Sequence, residues 1–174
     1  MIQLHTPRLH LIAATLELAR ADAGHRSTLS NLLNATIPAD WPPPLNDDDS
    51  AGFFVRHLTE HPQAVGWMIW YFIRDDGHSR IAIGNGGFKG EPVNGDVEVG
   101  YSVIPQFQRQ GYAGEAVGAL VDWAFEPPAV NRIIAETFPE IHASRALLGK
   151  LGFHQTSGAA EPGALRFEKT RPPE

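Results

Sequence analysis

The chain has 174 residues, 43% of them hydrophobic and 20% charged, with a formal net charge of −6 and no cysteine. That length suits one domain with a single core, and no apolar run is long enough to span a bilayer. The acidic balance argues against nonspecific nucleic-acid binding, which needs a basic surface, and the missing cysteine excludes disulfides, a thiolate metal site and a cysteine nucleophile.

His5, Arg8 and His10 interrupt the amino end, which therefore lacks the pattern of a secretory leader; a cytoplasmic protein is expected. The apolar run Leu9–Ala13 predicts a first strand. Thr15 is placed to cap a helix from Leu16, with Leu18 and Ala19 inward. A second helix is expected from about His25 to Leu33. The prolines at Pro42, Pro43 and Pro44 exclude helix and favour a stiff extended segment. The acidic cluster Asn46–Ser50 suits a helix N-terminus, and it lacks the glycine and distal glutamate of a calcium loop. The helix is expected over Ala51–Glu60, with Phe54, Val55 and Leu58 inward. His57-Leu58-Thr59-Glu60-His61 spells H-x-x-E-H. Its two histidines share a face, but no third ligand stands out and Pro62 ends the helix, so they read as surface residues and no metal is expected.

Gly66–Arg74 is a strongly apolar strand. Asp75–His78 supplies a turn and Arg80–Gly84 begins the return, a hairpin pattern. Gly84, Gly86 and Gly87 suggest a bulge or a close backbone approach. Phe88 and Lys89 finish the strand, and residues 90–95 turn into the next one. From Val97 the pattern alternates: Val97, Val99, Tyr101 and Val103 face one way, Glu98, Gly100 and Ser102 the other. After Gln108-Arg109-Gln110-Gly111, apolar residues at Ala113, Ala116, Val117, Leu120 and Ala124 mark an amphipathic helix. A strand, a glycine turn and a helix leave free N–H groups at the positive end of the helix dipole. Such a turn reads either as a phosphate site or as an ordinary connection. Pro127 and Pro128 end the helix. Arg132–Thr137 predicts a buried strand, Ala143–Leu151 a helix capped by Gly152, and residues 153–157 and 163–169 a terminal strand pair. The tail from Arg171 to Glu174 is expected to fray.

Gln108-Arg109-Gln110-Gly111-Tyr112-Ala113 resembles the Q/R-x-x-G-x-G/A loop of the GNAT superfamily of N-acetyltransferases. Ala143-Ser144-Arg145-Ala146-Leu147-Leu148-Gly149-Lys150-Leu151-Gly152-Phe153 is similar to that family's A-S-x-x-x-L-x-K-x-G-F block. Thr6-Pro7-Arg8-Leu9-His10-Leu11 resembles the opening of its RimJ/RimL-like branch, which acetylates ribosomal-protein N-termini. The resemblance implies an α/β (α+β) fold: a mixed, mainly antiparallel central sheet flanked by helices, with two strands splayed to hold acetyl-CoA. The whole chain, residues 1–174, is then one N-acetyltransferase domain, with an acceptor-side half of about 1–95 and an acetyl-CoA half of about 96–174.

The resemblance further implies pantetheine alongside Tyr101, Ser102 and Val103, where Pro105 is expected to stop the pairing with the Arg132–Thr137 strand. It implies a pyrophosphate on the turn formed by Gln108, Arg109, Gln110, Gly111, Tyr112, Ala113 and Gly114. Acetyl transfer to an amine needs a base, an oxyanion donor and an acid. Glu98 is the candidate base, directly or through a water, with a structural ion pair as the alternative. A backbone N–H near Val103 is the candidate oxyanion donor. Ser144 aligns with a serine that lies near the thiol in the RimJ/RimL-like branch; helix capping is its alternative role. Ile141 stands where many members have Asn, and the neighbouring His142 is the candidate substitute. No tyrosine follows Gly152-Phe153 to act as the acid. Trp41 and Trp70 are candidate walls of the acceptor pocket. The function implied is acetyl transfer from acetyl-CoA to a primary amine, a protein N-terminus or a small molecule, without a metal, a membrane or a nucleic acid. A noncatalytic acyl-CoA sensor on the same fold is the alternative. Monomer and homodimer are both open. The P-loop, Rossmann and G-x-S-x-G patterns are missing, which disfavours an NTPase, a dinucleotide enzyme or a serine hydrolase.

Overall fold

In the computed structural model, which describes residues 1–173, the chain opens with a strand that periodicity did not reveal. β1 (Gln3–His5) is too short to show a period of two, and it pairs antiparallel with β2 (Leu9–Ala13). Thr15 caps α1 (Leu16–Asp22), its hydroxyl accepting from the Leu18 N–H at 3.3 Å; a cap of this kind contributes about 1 kcal/mol. α2 (Arg26–Leu33) ends on Asn34 in the left-handed region. α3 (Asp48–Glu60) starts before Ala51 because Asp47 caps it, accepting from the Ser50 N–H at 2.8 Å.

β3 (Ile69–Asp75) begins later than the apolar run. Gly66 is a left-handed turn residue at φ 93°, and Trp123 packs against it so closely that a Cβ there would lie 2.8 Å from the indole. β4 (Arg80–Phe88) and β5 (Asp96–Val103) complete an antiparallel run, with a register shift opposite Phe72 and Ile73. α4 (Tyr112–Phe125), β6 (Arg132–Thr137), α5 (His142–Lys150), β7 (His154–Thr156) and β8 (Leu165–Thr170) follow. Among the described residues these strands make one sheet in the order β1-β2-β3-β4-β5-β6-β8-β7, and β5–β6 is its parallel pair. This is a mixed, mainly antiparallel sheet with helices on both faces.

The sheet carries a core on each face. On one, Val97, Val99, Trp70, Phe72 and Ile83 pack against Val117 and Leu120 of α4 and Leu148 of α5. On the other, Ile12, Tyr71 and Ile73 pack against Leu18, Leu29 and Leu33 of α1 and α2, with Phe54 of α3 at the margin. Both tryptophans assigned to an acceptor pocket are core residues instead. Trp41 packs with its ring tilted against Tyr71 and donates from Nε1 to Asp22 Oδ1 at 2.7 Å. Trp70 is fully buried against Trp123 and donates to the Gly66 carbonyl at 2.8 Å. Large aromatics gain most by burial, and here each indole N–H also finds a partner. Burial pushes the Asp22 carboxyl above its usual range, against the bonds from Trp41 and Tyr71.

Arg171 is not frayed. Its N–H donates to Asn131 O at 2.8 Å, and its guanidinium reaches the carbonyls of Val130 and Phe125 at the end of α4. The last residue of the expected tail, Glu174, lies outside the described residues. No helix of the described residues is long and apolar enough to cross a membrane.

Candidate active site

β5 and β6 pair only over Asp96–Arg132, Val97–Ile133 and Glu98–Ile134. Beyond Glu98 the strands separate, although β5 continues to Val103 and β6 to Thr137. The parting therefore begins well before Pro105, which instead opens a short 3-10 turn at Pro105–Phe107. Below the vertex Arg132 forks onto Asp96, with Nε 3.0 Å from Oδ1, and fastens the closed end. Above it a cleft of about 1310 Å³ passes through the sheet, from α4 and α5 on one face to α3 on the other. Separated strands leave backbone polar groups of β5 and β6 free to meet a ligand.

The turn before α4 forms one end of this cleft. Arg109 at φ 60° and Gly111 at φ 82° are both left-handed. Alternation of this kind turns successive N–H groups toward one point and makes a concavity that suits an anion. Left-handed geometry at a non-glycine residue is strained, so the turn must be held. Gln108 Nε2 donates to Val103 O at 2.8 Å, and Gln110 Nε2 to Gln106 O at 3.0 Å. Arg8 donates to Gln110 O at 2.9 Å and lies 4.3 Å above the Tyr112 ring. Gln108, Arg109, Gly111, Ala113 and Gly114 line the cleft; the Gln110 and Tyr112 side chains turn away and hold the turn from behind. The cradle and the dipole of α4 together suit a diphosphate.

The Thr6-Pro7-Arg8 opening thus acts as a clamp. Glu115, in the first turn of α4, accepts from Thr6 Oγ1 at 2.5 Å, Arg8 N at 2.8 Å and Arg8 Nε at 2.7 Å. Burial works to raise its carboxyl, but these bonds outweigh that and hold it below the usual carboxylate range. A depressed folded value means stability that is present above the unfolded value and lost as pH falls through the folded one. Glu115→Gln is expected to lower stability at pH 7 by about 1 kcal/mol, a low figure for charged hydrogen bonds because Arg8 is exposed. The gap from wild type should close as pH falls below 4. Urea midpoints of the two proteins at pH 7 and pH 3.5 check this, and a gap independent of pH would refute it.

The middle of the cleft joins the splayed strands to α5. Tyr101 and Ser144 both line it, and their hydroxyls are 2.7 Å apart. Ser144 does not cap α5; Ile141 stands at the cap without a side-chain bond. Burial pushes the Tyr101 hydroxyl above its ordinary value, against the bond to Ser144. A tyrosine hydroxyl therefore lines the cleft, on β5 and not after Phe153. Ser102 and Val103 also line the cleft. His142 is exposed and does not line it, because the first turn of α5 points its ring outward; Ile141 occupies that edge.

Glu98 lies at the vertex on the face it shares with Gly100 and Ser102. Its carboxylate is tied to Lys89 Nζ, and Lys89, not Glu98, lines the cleft. Among the lining residues that the sequence does not single out are Glu136 and Asn85. Glu136 stands on β6 two positions past the vertex and accepts from the N–H groups of Ala160 at 2.7 Å and Glu161 at 3.2 Å. Asn85, on β4 opposite Ser102, lines the α3 side. His57 and His61 sit with rings 4.7 Å apart, His57 against Glu91 at 3.2 Å. Among the described residues no group of three His, Cys, Asp or Glu side chains is disposed to hold a metal ion.

Comparison with known proteins bears on the chemistry. A family model described as an acetyltransferase (GNAT) domain matches residues 10–154. The chain is 29% identical over 164 residues to the uncharacterized N-acetyltransferase YjdG of Bacillus subtilis, covering 92% of this chain and 95% of that one. Among solved structures, a RimL ribosomal L7/L12 α-N-protein acetyltransferase in complex with coenzyme A superimposes with a TM-score of 0.68 at 18% identity, over 97% of this chain and 98% of that one. A ribosomal-protein-S5-alanine acetyltransferase from Vibrio fischeri gives 0.65 at 20% identity, over 98% and 97%.

Proposed function

The chain belongs to the GNAT acetyltransferase family, and we propose that it moves the acetyl group of acetyl-CoA directly to a primary amine. The observation that carries the reading is the parting of β5 and β6 after Glu98, with the amide cradle of residues 109–114 at one end and the Tyr101–Ser144 pair between. In this reading the whole chain works as one domain. Its second half holds the donor: the cradle takes the diphosphate, Arg109 adds positive charge, and the free edge of β5 at Tyr101, Ser102 and Val103 takes the pantetheine arm. Acetyl-CoA brings the acetyl group as a thioester. With no cysteine in the chain, direct transfer is the simpler route.

Two proton movements then fall to this chain's own groups. The amine nitrogen bonds to the acetyl carbon as the carbon–sulfur bond breaks. The amine's proton passes through water to Glu98, which stands at the vertex behind Lys89 and outside the cleft lining. The departing thiolate takes the Ser144 proton, which Tyr101 replaces across the 2.7 Å bond. One named structural relative is an L7/L12 α-N-protein acetyltransferase and the other a ribosomal-protein-S5-alanine acetyltransferase, and a protein N-terminus is one acceptor of the right chemistry.

Calorimetric titration with acetyl-CoA, followed by thiol release with an amine panel, tests the reading; no binding at millimolar ligand would sink it. Glu98→Gln is expected to lower kcat by about 10²-fold, the usual contribution of a general base, with acetyl-CoA affinity unchanged. Unaltered turnover would remove Glu98 from that role. One observation favours the alternative of a noncatalytic acyl-CoA sensor: the pairing of Glu98 with Lys89. A sensor would bind acetyl-CoA and release no thiol with any amine.

A further inference from the structure

The α3 side of the cleft has a floor and a wall of opposite character. Asn85↔Ser102 and Gly87↔Gly100 are cross-strand partners, so these four residues share one face of the sheet. Three of them have little or no side chain. A Cβ built on Gly100 would meet nothing within 4 Å, so the space above it is open. Asn85 is the one large polar side chain of the four, and it is only 3% exposed.

The polarity of Asn85 is set by its neighbour. Asn46 Nδ2 donates to Pro43 O at 3.2 Å and Pro44 O at 3.1 Å. Asn46 must then present its oxygen to Asn85, and Asn85 Nδ2 donates to it at 3.0 Å. This leaves Asn85 Oδ1 as a bare acceptor. Among the described residues it takes no hydrogen bond, yet it is not sealed from solvent, and the space Asn85 lines is the cleft. An amide oxygen held in this orientation recognises an N–H donor and rejects another acceptor.

The wall over this floor is apolar. Pro44, Leu45, Phe53 and Phe54 line it, and Leu45 and Phe53 remain 88% and 43% exposed. Exposed large apolar side chains grouped at a cleft mark a surface that a ligand covers.

We propose that Asn85 Oδ1 accepts an N–H of the acceptor amine and that Leu45, Phe53 and Phe54 cover an apolar or aromatic group attached to it. The substrate class is therefore a primary amine a few bonds from an apolar group. An amine held through its N–H keeps its lone pair free for attack, which makes Asn85 a binding and positioning residue. The inference rests on the acetyl-transfer reading and narrows its acceptor.

The test compares 2-phenylethylamine with ethylamine, and a tetrapeptide beginning with Phe with one beginning with Gly, at saturating acetyl-CoA. In wild type, kcat/KM for the apolar member of at least one pair is expected to exceed that of its partner at least tenfold. Turnover in the amine pair alone assigns the subsite to small amines, and in the peptide pair alone to N-termini; both uphold the proposal. Asn85→Ala is expected to raise KM for the preferred acceptor at least tenfold, with the acetyl-CoA dissociation constant within twofold of wild type. Phe53→Ser changes a side chain that is 43% exposed and outside the buried core, and it should cut the preference at least fivefold even if the Asn85 variant does not fold. A wild-type enzyme that turns over both members of each pair equally overturns the proposal, as does a preference that Phe53→Ser leaves unchanged. Failure of wild type to bind acetyl-CoA would overturn the underlying reading and this one with it, so the two failures are distinguishable.

Discussion

Gly114→Glu is expected to leave the fold intact and to weaken acetyl-CoA binding by about 100-fold or more. The two effects have opposite signs for one reason. Gly114 is in the first turn of α4, and a Cβ there would meet nothing within 4 Å. A glutamate replaces a poor helix former and places negative charge at the positive end of the helix, so stability should hold or rise. The same charge would face the diphosphate proposed for the cradle of residues 109–114. At a separation of about 5 Å and an effective dielectric of about 20, each pair of like charges costs about 3 kcal/mol, which is roughly two powers of ten in affinity. Thermal melting and calorimetric titration of the variant check the two halves separately. Normal binding in a normally folded variant would move the diphosphate off this turn.

Gly87→Ala should have the largest effect on stability, with a loss of about 3 kcal/mol read as a lower urea midpoint at unchanged slope. Gly87 has φ 144°, and a Cβ would lie 1.9 Å from the Met68 carbonyl oxygen. That oxygen also accepts from the Phe88 N–H at 3.0 Å, the bond that seats β4 on the turn before β3. Relief of the clash must break this bond or bend the strand. Gly100→Ala, on the partner strand at the same level, is the control: its Cβ meets nothing, and its midpoint should match wild type. Equal midpoints for the two variants would show that the tight approach at Gly87 has no energetic weight.

The elements that glycine and proline punctuate were legible in the sequence. The alternation from Val97 to Val103 placed β5, and Gly111 placed the turn, because both rest on local rules of period and φ. The features that failed are those that depend on strand register. Asn85 sits inside a glycine-rich apolar strand, and only its pairing with Ser102 puts it on the cleft floor. In sequence Glu136 is like any charged strand residue; it reaches the cleft because the parallel pairing stops at Glu98–Ile134. The sequence points to Pro105, a local breaker, as the cause of the separation, whereas the change of partner begins at Val99. The tryptophans failed for a different reason: size and apolarity do not distinguish a pocket wall from a core residue, and Trp41 was settled by a carboxylate nineteen residues away, Asp22. The motif Thr6-Pro7-Arg8 carries no local signal beyond its resemblance; its physical role lies in Glu115, which sits between its donors.

That clamp has a consequence in time. Its bonds join positions 107 to 109 residues apart, so during folding the turn between β5 and α4, braced locally by Gln108 and Gln110, gains its full support only when the first hairpin has docked across most of the chain. Contacts of such long reach are slow to form. The anion cradle should therefore mature among the last features of the fold, and its occupant should report back along the same bonds. A ligand that binds only the finished cradle protects the native state by mass action. Amide protons of β2, far from the cleft in sequence, should then exchange more slowly when acetyl-CoA is present.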